Sequence, residues 1–324
     1  MLHLRVYVEE GIAADVRNLL MNDPAVSALS VSTGDSLEPT GDLITADVAR
    51  EAANSIVDEL VAMGVHRRGT ISMDPVESWI SQPAFDAQRE VPGDSGDAVV
   101  WSEVVQESYT DATINWSFIT FMILATTMAS IAIINDSQVL VIAAMILGPE
   151  FGAVAALGVA LVRRRFHLLR RAVVALVVGY ATAILVVAFF VLIGRIAGWI
   201  TAADITAPRP GTSFIYTPDQ WSVLIALVAG AAGVLAITSE RAGGLVGVFI
   251  SVTTIPAAGN IALALPFLLV DEIVGSSIQL IVNLLGMALA GWFTLYVQQR
   301  IWRRVGKRKG RLPHSRAHTW WVAR

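Results

Sequence analysis

The chain has 324 residues, 55% of them hydrophobic, and a mean hydropathy of +0.61, which excludes an ordinary soluble protein. It has no cysteine, so disulfide frameworks, thiolate metal sites and thiol catalysis are excluded as well. The net charge of −4 conceals two parts of opposite sign: residues 1–113 carry 20 acids and 6 arginines, the remainder 7 acids and 17 basic residues. The first part reads as soluble and acidic, the second as membrane-embedded with basic edges. The N-terminus, Met-Leu-His-Leu-Arg-Val, has neither a basic region nor a long apolar run, so no signal peptide is expected.

Residues 2–8 alternate as a strand, and Ile12, Val16, Leu19 and Leu20 have helical spacing. Residues 28–32 and 43–48 read as short strands around the turn-rich Thr33-Gly34-Asp35-Ser36. Residues 52–63 form a second amphipathic helix ending at Gly64, a good cap residue, and residues 70–73 a last strand. The order β-α-β-β-α-β predicts a ferredoxin-like α+β domain over residues 1–80, a fold that by itself identifies no function. Residues 81–97, rich in Pro, Gly, Ser and Asp, read as a linker. With the amphipathic helix over 98–109, the linker region extends to residue 115.

Six apolar spans follow within residues 116–302, at 116–134, 139–162, 172–194, 221–237, 243–270 and 278–297, most near the roughly 20 residues that cross a bilayer, the fifth longer and the fourth shorter. Arginine and lysine placement orients them. Arg163, Arg164, Arg165, Arg170 and Arg171 follow the second span, Arg241 follows the fourth, and a basic tail over 303–324 follows the sixth. Asn135-Asp136-Ser137, residues 201–220 and Asp271-Glu272 fall on the other side. The expected topology has both termini cytoplasmic, in a bacterial cytoplasmic (inner) membrane.

Two spans contain Pro-x-x-Gly: Gly148-Pro149-Glu150-Phe151-Gly152 and Pro256-Ala257-Ala258-Gly259-Asn260. Proline removes a backbone donor and clashes with the preceding turn. Freed backbone groups at membrane depth are tolerated only where protein or a water-lined cavity satisfies them. The second and fifth spans are therefore expected to be broken, and breaks in matching halves point to a transporter-type site. Ala132-Ile133-Ile134-Asn135-Asp136 also resembles Ala236-Ile237-Thr238-Ser239-Glu240. The architecture predicted is two inverted three-helix repeats.

Glu150 lies twelve residues after Gln138, about 18 Å down a helix, near the bilayer midplane. A carboxylate at that depth is expensive and usually marks an ion or proton path. The alternative is a structural carboxylate that caps amides at the break or pairs across an oligomer. Gly148, Pro149, Gly152, Thr253, Thr254, Pro256, Gly259, Asn260 and Asn283 complete the expected ion- or solute-binding set. Thr126 and Thr127 read as bonded to their own helix carbonyls. Gly179, Gly230, Gly233, Gly243, Gly244 and Gly247 read as close-packing positions.

The arginine loop and the tail, with Trp302, Trp320 and Trp321, are expected to meet anionic lipid rather than nucleic acid. His314 and His318 beside Pro313 make a poor metal pair. No phosphate loop, His-Glu-x-x-His motif or nucleophile elbow is present, so neither a cofactor nor an enzyme is expected.

The run Ser137-Gln138-Val139-Leu140-Val141-Ile142-Ala143-Ala144-Met145-Ile146-Leu147-Gly148-Pro149-Glu150-Phe151-Gly152, with Gly243-Gly244-Leu245-Val246-Gly247-Val248 leading to Ile255-Pro256-Ala257-Ala258-Gly259-Asn260-Ile261, resembles the family of domain of unknown function 389. The resemblance covers most of residues 116–302 and implies an integral membrane protein. Ala143 and Ala153 depart from a common Gly-Ala-Met and Pro-x-x-Gly-Pro pattern, and Glu150 follows the first proline, so no role for Glu150 carries over. The expectation is a secondary transporter of a small ion or polar solute, with proton coupling through Glu150 and homo-oligomerisation as further expectations. An ion channel, or a membrane-anchored sensor using the N-terminal domain, is the alternative.

Overall fold

The computed structural model describes residues 1–93, 95–212, 215, 220–238 and 254–305. Two compact units divide the chain, one built on Met1–Glu103 and the other on Val104–Gln299.

In the first unit, β1 (Leu2–Glu9), β2 (Val26–Leu37), β3 (Thr40–Val48) and β4 (Thr70–Pro75) form one antiparallel sheet in the order β2-β3-β1-β4. The period-2 pattern of β1 sends Leu2, Leu4, Val6 and Val8 to one buried face. Helix α1 (Glu10–Asn22) covers that face with Ala13, Val16 and Leu20, and α2 (Ala53–Ala62) with Ala53, Ile56 and Leu60. Gly64 follows α2 at φ 82°, the left-handed conformation expected of a helix-ending glycine. A four-residue helix α3 (Val65–Arg68) leads to β4.

Two details differ from expectation. β2 runs through Thr33-Gly34-Asp35-Ser36 as an irregular strand, with register shifts after Ser27 and Ser32, and the reversal comes at Pro39 instead. Residues 81–97 contain a helix, α4 (Gln82–Glu90), started by the Ser81 hydroxyl, which accepts from the Ala84 amide at 3.3 Å. Ala84 joins the main core, and the Trp79 and Phe85 rings lie 4.5 Å apart. The segment up to Trp101 is tied down too: buried Arg50 donates to the Ala98 carbonyl and to Glu103, and Asn54 bonds the Val99 carbonyl and the Trp101 amide.

In the second unit, α5 (Trp101–Asp111, which starts in the first unit) leads to α6 (Trp116–Ile134), α7 (Gln138–Leu147), α8 (Glu150–Val162), α9 (Phe166–Ile196), α10 (Ala202–Thr206), α11 (Gln220–Thr238), α12 (Thr254–Ala264) and α13 (Val270–Val305). Asn115 and Ser137 cap α6 and α7 with their side chains. A capping box starts α10, where the Thr201 hydroxyl and amide hold the Asp204 carboxyl below its usual range. Helices 116–134, 166–196, 220–238 and 270–301 are long and apolar enough to cross a membrane. The pair α7 and α8, bent by 60°, makes a fifth if taken as one span. The segment expected over 243–270 is described only from Thr254, and Val270 already belongs to α13.

Helices α8 and α12 occupy the interior. Gly152 to Ala160 and the whole of Thr254–Ala264 are buried, as all-round apolar helices should be. Both are framed by α9. Helix α8 ends one tight turn before the start of α9, the Arg165 amide bonding the Ala160 carbonyl. Helix α12 leads to the other end of α9, where Arg195 donates to the Pro266 carbonyl and stands over the Phe267 ring at 4.9 Å.

Candidate functional site

Proline sets the geometry first. Gly148 caps α7 in an extended conformation, φ −67° and ψ 119°, as a residue preceding proline prefers. Pro149 then stands as the cap of α8, which puts Glu150 at its first helical position. Glu150 is fully buried, and its Oε1 accepts a hydrogen bond from the Thr254 hydroxyl at 3.0 Å. Thr254 opens the described part of α12 and is also fully buried. An acid in a first turn is favoured by the helix dipole, by up to about 2 kcal/mol when partly buried. That partly offsets the cost of burying a carboxylate.

The Tyr180 hydroxyl adjoins both Glu150 and Thr254. It is buried and has no hydrogen-bond partner of ordinary geometry among the described residues. Tyr180 lies 14 residues from the start of α9 and 16 from its end, so the Glu150–Thr254 contact sits at mid-length of that helix. From it α8 runs to one end of α9 and α12 to the other.

Six residues along α12, about 9 Å, Asn260 organises a second buried cluster. Its Oδ1 accepts from Arg209 at 3.1 Å, and its Nδ2 donates to Glu272 at 2.7 Å and Ser276 at 2.9 Å. Arg209 pairs with Glu272 at 3.1 Å. Asp136 accepts from the Gly211 amide and the Thr212 hydroxyl, so the three loops expected on one side of the membrane meet at one end of the helices. Glu272, read as a loop residue, is in the first turn of α13.

The expected residues separate into places. Glu150, Gly148, Pro149, Gly152 and Thr254 share the break. Pro256 sits in the first described turn of α12, two residues after Thr254, whereas Thr253 lies outside the described residues, as do Gly243, Gly244 and Gly247. Gly259 serves packing: its carbonyl accepts from Ser130 at 3.1 Å, and a Cβ there would press on Ala129 at 2.8 Å. Asn260 belongs to the Arg209 cluster. Asn283 is buried on α13, accepting from Gln279 at 3.5 Å. Thr127 bonds its own helix, to the Ile123 carbonyl, but Thr126 does not. Its hydroxyl is buried without a hydrogen bond, one turn before Ser130.

Sequence reasoning missed Tyr180, Arg209, Ser276 and Gln279. A signal existed for α13, where Glu272, Ser276, Gln279 and Asn283 repeat at helical spacing in an apolar stretch and all turn inward. Tyr180 is a lone phenol in a long apolar helix, which sequence does not distinguish from a packing residue.

Beside the break, Asp111 packs against α8. A Cβ on Gly152 would overlap its carboxylate, so glycine is what admits it. Half-buried there, the Asp111 carboxyl is pushed above 3.8 by desolvation. Among the described residues, no group of three or more His, Asp or Glu side chains could hold a metal.

These buried polar groups inside apolar helices define a membrane-compatible helical protein with an internal polar site. The model of domain of unknown function 389 matches residues 145–289, from the end of α7 into α13. It is similar to an uncharacterised protein of Methanocaldococcus jannaschii, 24% identical over 240 residues, which cover 74% of this chain and 70% of the relative. No solved structure matches.

Proposed function

We propose that the chain is a secondary transporter of a small ion or polar solute, coupled to protons through Glu150. The observation that carries this reading is the fully buried Glu150–Thr254 contact at mid-length of α9. Intramembrane carboxylates that face a helix-bundle interior mark ion and proton paths. The opposed courses of α8 and α12 support a six-span inverted repeat, with the Pro149 bend as a broken second span. Thr126, Tyr180 and Gln279 contribute buried oxygen atoms without hydrogen bonds, a lining suited to a cation or a hydrogen-bonding solute. The arginines of residues 163–171 favour the cytoplasmic side for the start of α9. The first unit, read as ferredoxin-like, would be cytoplasmic and serve regulation or assembly.

The test is proton flux into liposomes containing the full chain, driven by an imposed potential and read by a trapped pH-sensitive dye. Wild type is expected to dissipate the gradient, and Glu150→Gln to lose flux while inserting and unfolding like wild type. Equal flux in the two proteins would remove Glu150 from the mechanism. Unitary currents above transporter turnover would make the protein a channel. The solute is sought by thermal stabilisation, since a ligand at 100 times its dissociation constant adds about 2.7 kcal/mol.

A further inference from the structure

The connector between α5 and α6 faces the first turns of α9 across a cleft of about 390 Å³. Thr113 and Ile114 form one wall, and His167, Arg170, Arg171 and Val174 the other. Among the described residues, no carboxylate lines it. Arg171 is preset: its guanidinium stands 5.8 Å from the Tyr109 ring centre and donates to the Thr113 hydroxyl at 3.4 Å. The same ring lies 6.3 Å from that of His167. Arg170 makes no ion pair among the described residues, and Asp111, the acid next along the chain, turns to Gly152 instead.

Depth decides what an anion here would be. Helix α9 has 31 residues, about 46 Å at 1.5 Å per residue, against about 30 Å of hydrocarbon. Its charged residues are confined to its ends, with none from Ala172 to Gly194. The first two turns, with His167, Arg170 and Arg171, therefore project into the headgroup layer. Trp116 and Phe166, 84% and 78% exposed, flank the cleft as interfacial aromatics. Below the arginines, Val173, Val174 and Val177 are exposed and offer an apolar strip.

We propose that this cleft binds the phosphate of an anionic phospholipid, with Arg170 and Arg171 as its donors and the acyl chains along the valine strip. Guanidinium groups suit phosphate oxygens by their paired donors, and the strip distinguishes a lipid from a soluble phosphate. The site is independent of the transport reading.

The test uses the full chain in nanodiscs, following thermal unfolding and retained lipid by native mass spectrometry. Phosphatidylglycerol is expected to stabilise wild type over phosphatidylcholine and to leave one retained lipid, with apparent affinity falling about tenfold or more in Arg170→Gln/Arg171→Gln. The control Arg164→Gln/Arg165→Gln removes the same charge outside the cleft and is expected to keep the lipid. Equal loss in both double variants, or no loss in the first, overturns the site. Stabilisation by inorganic phosphate alone, abolished in Arg170→Gln/Arg171→Gln, overturns the lipid as its occupant.

Discussion

Glu150 meets a hydroxyl from Thr254 and stands at the amide end of its own helix, and these groups decide what it can do. A hydrogen bond to a charged group contributes about 1.5–3 kcal/mol. Thr254→Val, which keeps the shape and removes the donor, is expected to lose about that much in chemical unfolding if Glu150 is ionised, and Thr254→Ser to recover most of it. No loss in the valine variant would mean that Thr254 fills space only. Asp111 makes an opposite case. Burial raises its carboxyl above 3.8, so the folded state penalises its charged form. That penalty is absent below 3.8 and grows as pH rises through the elevated value. Asp111→Asn is therefore expected to unfold at a higher temperature than wild type at pH 7, the gap closing toward pH 4. A gap independent of pH would assign the effect to packing against Gly152.

Elements were legible where one residue type dictates the outcome. Pro149 ends a helix for steric reasons that no context reverses, and α6 was readable to the residue because Asn115 and Asn135 bracket an unbroken apolar run. Helix α4 was hidden because composition over 81–97 averages a polar surface helix with its Gly-rich flank. Its Ser81 cap and Pro83 were nonetheless in plain sight, and Ser81→Ala is expected to cost about 1 kcal/mol in unfolding of the first unit. The Arg209 cluster was out of reach for a different reason. Its partners Asn260 and Glu272 lie 51 and 63 residues away, and only tertiary packing makes that loop arginine a buried one. Truncating one member of a buried pair costs about 3–5 kcal/mol because the other charge is left uncompensated. Glu272→Gln and Arg209→Met should each approach that loss, and the double variant should fall well short of their sum. Additive losses would mean that the two residues act separately.

At the scale of the second unit, four long apolar helices and α7 surround the buried α8 and α12, and glycines bring the helices close. Gly158 faces the backbone of Gly291 and Trp292 across α8 and α13, and Gly291 in turn admits the Val234 side chain of α11. Apolar length along the chain anticipated the long helices, since it is a property of single segments. Which segment lies inside is a property of the set. α8 and the described part of α12 meet at the Glu150–Thr254 contact and lead to opposite ends of α9. Such an arrangement is a fulcrum with two arms. A tilt of about 10° about the Glu150–Thr254 contact displaces the far end of α8, about 20 Å away, by some 3 Å, and that of α12 in the opposite sense, while the carboxylate barely moves. Spin-label pairs Leu161–Val173 and Leu268–Ile193 are expected to change distance together when ligand or pH shifts the protein. A change in one pair alone would place the hinge elsewhere. On the proposed transport reading, proton and passenger would stay in one spot while the two doors trade places around them.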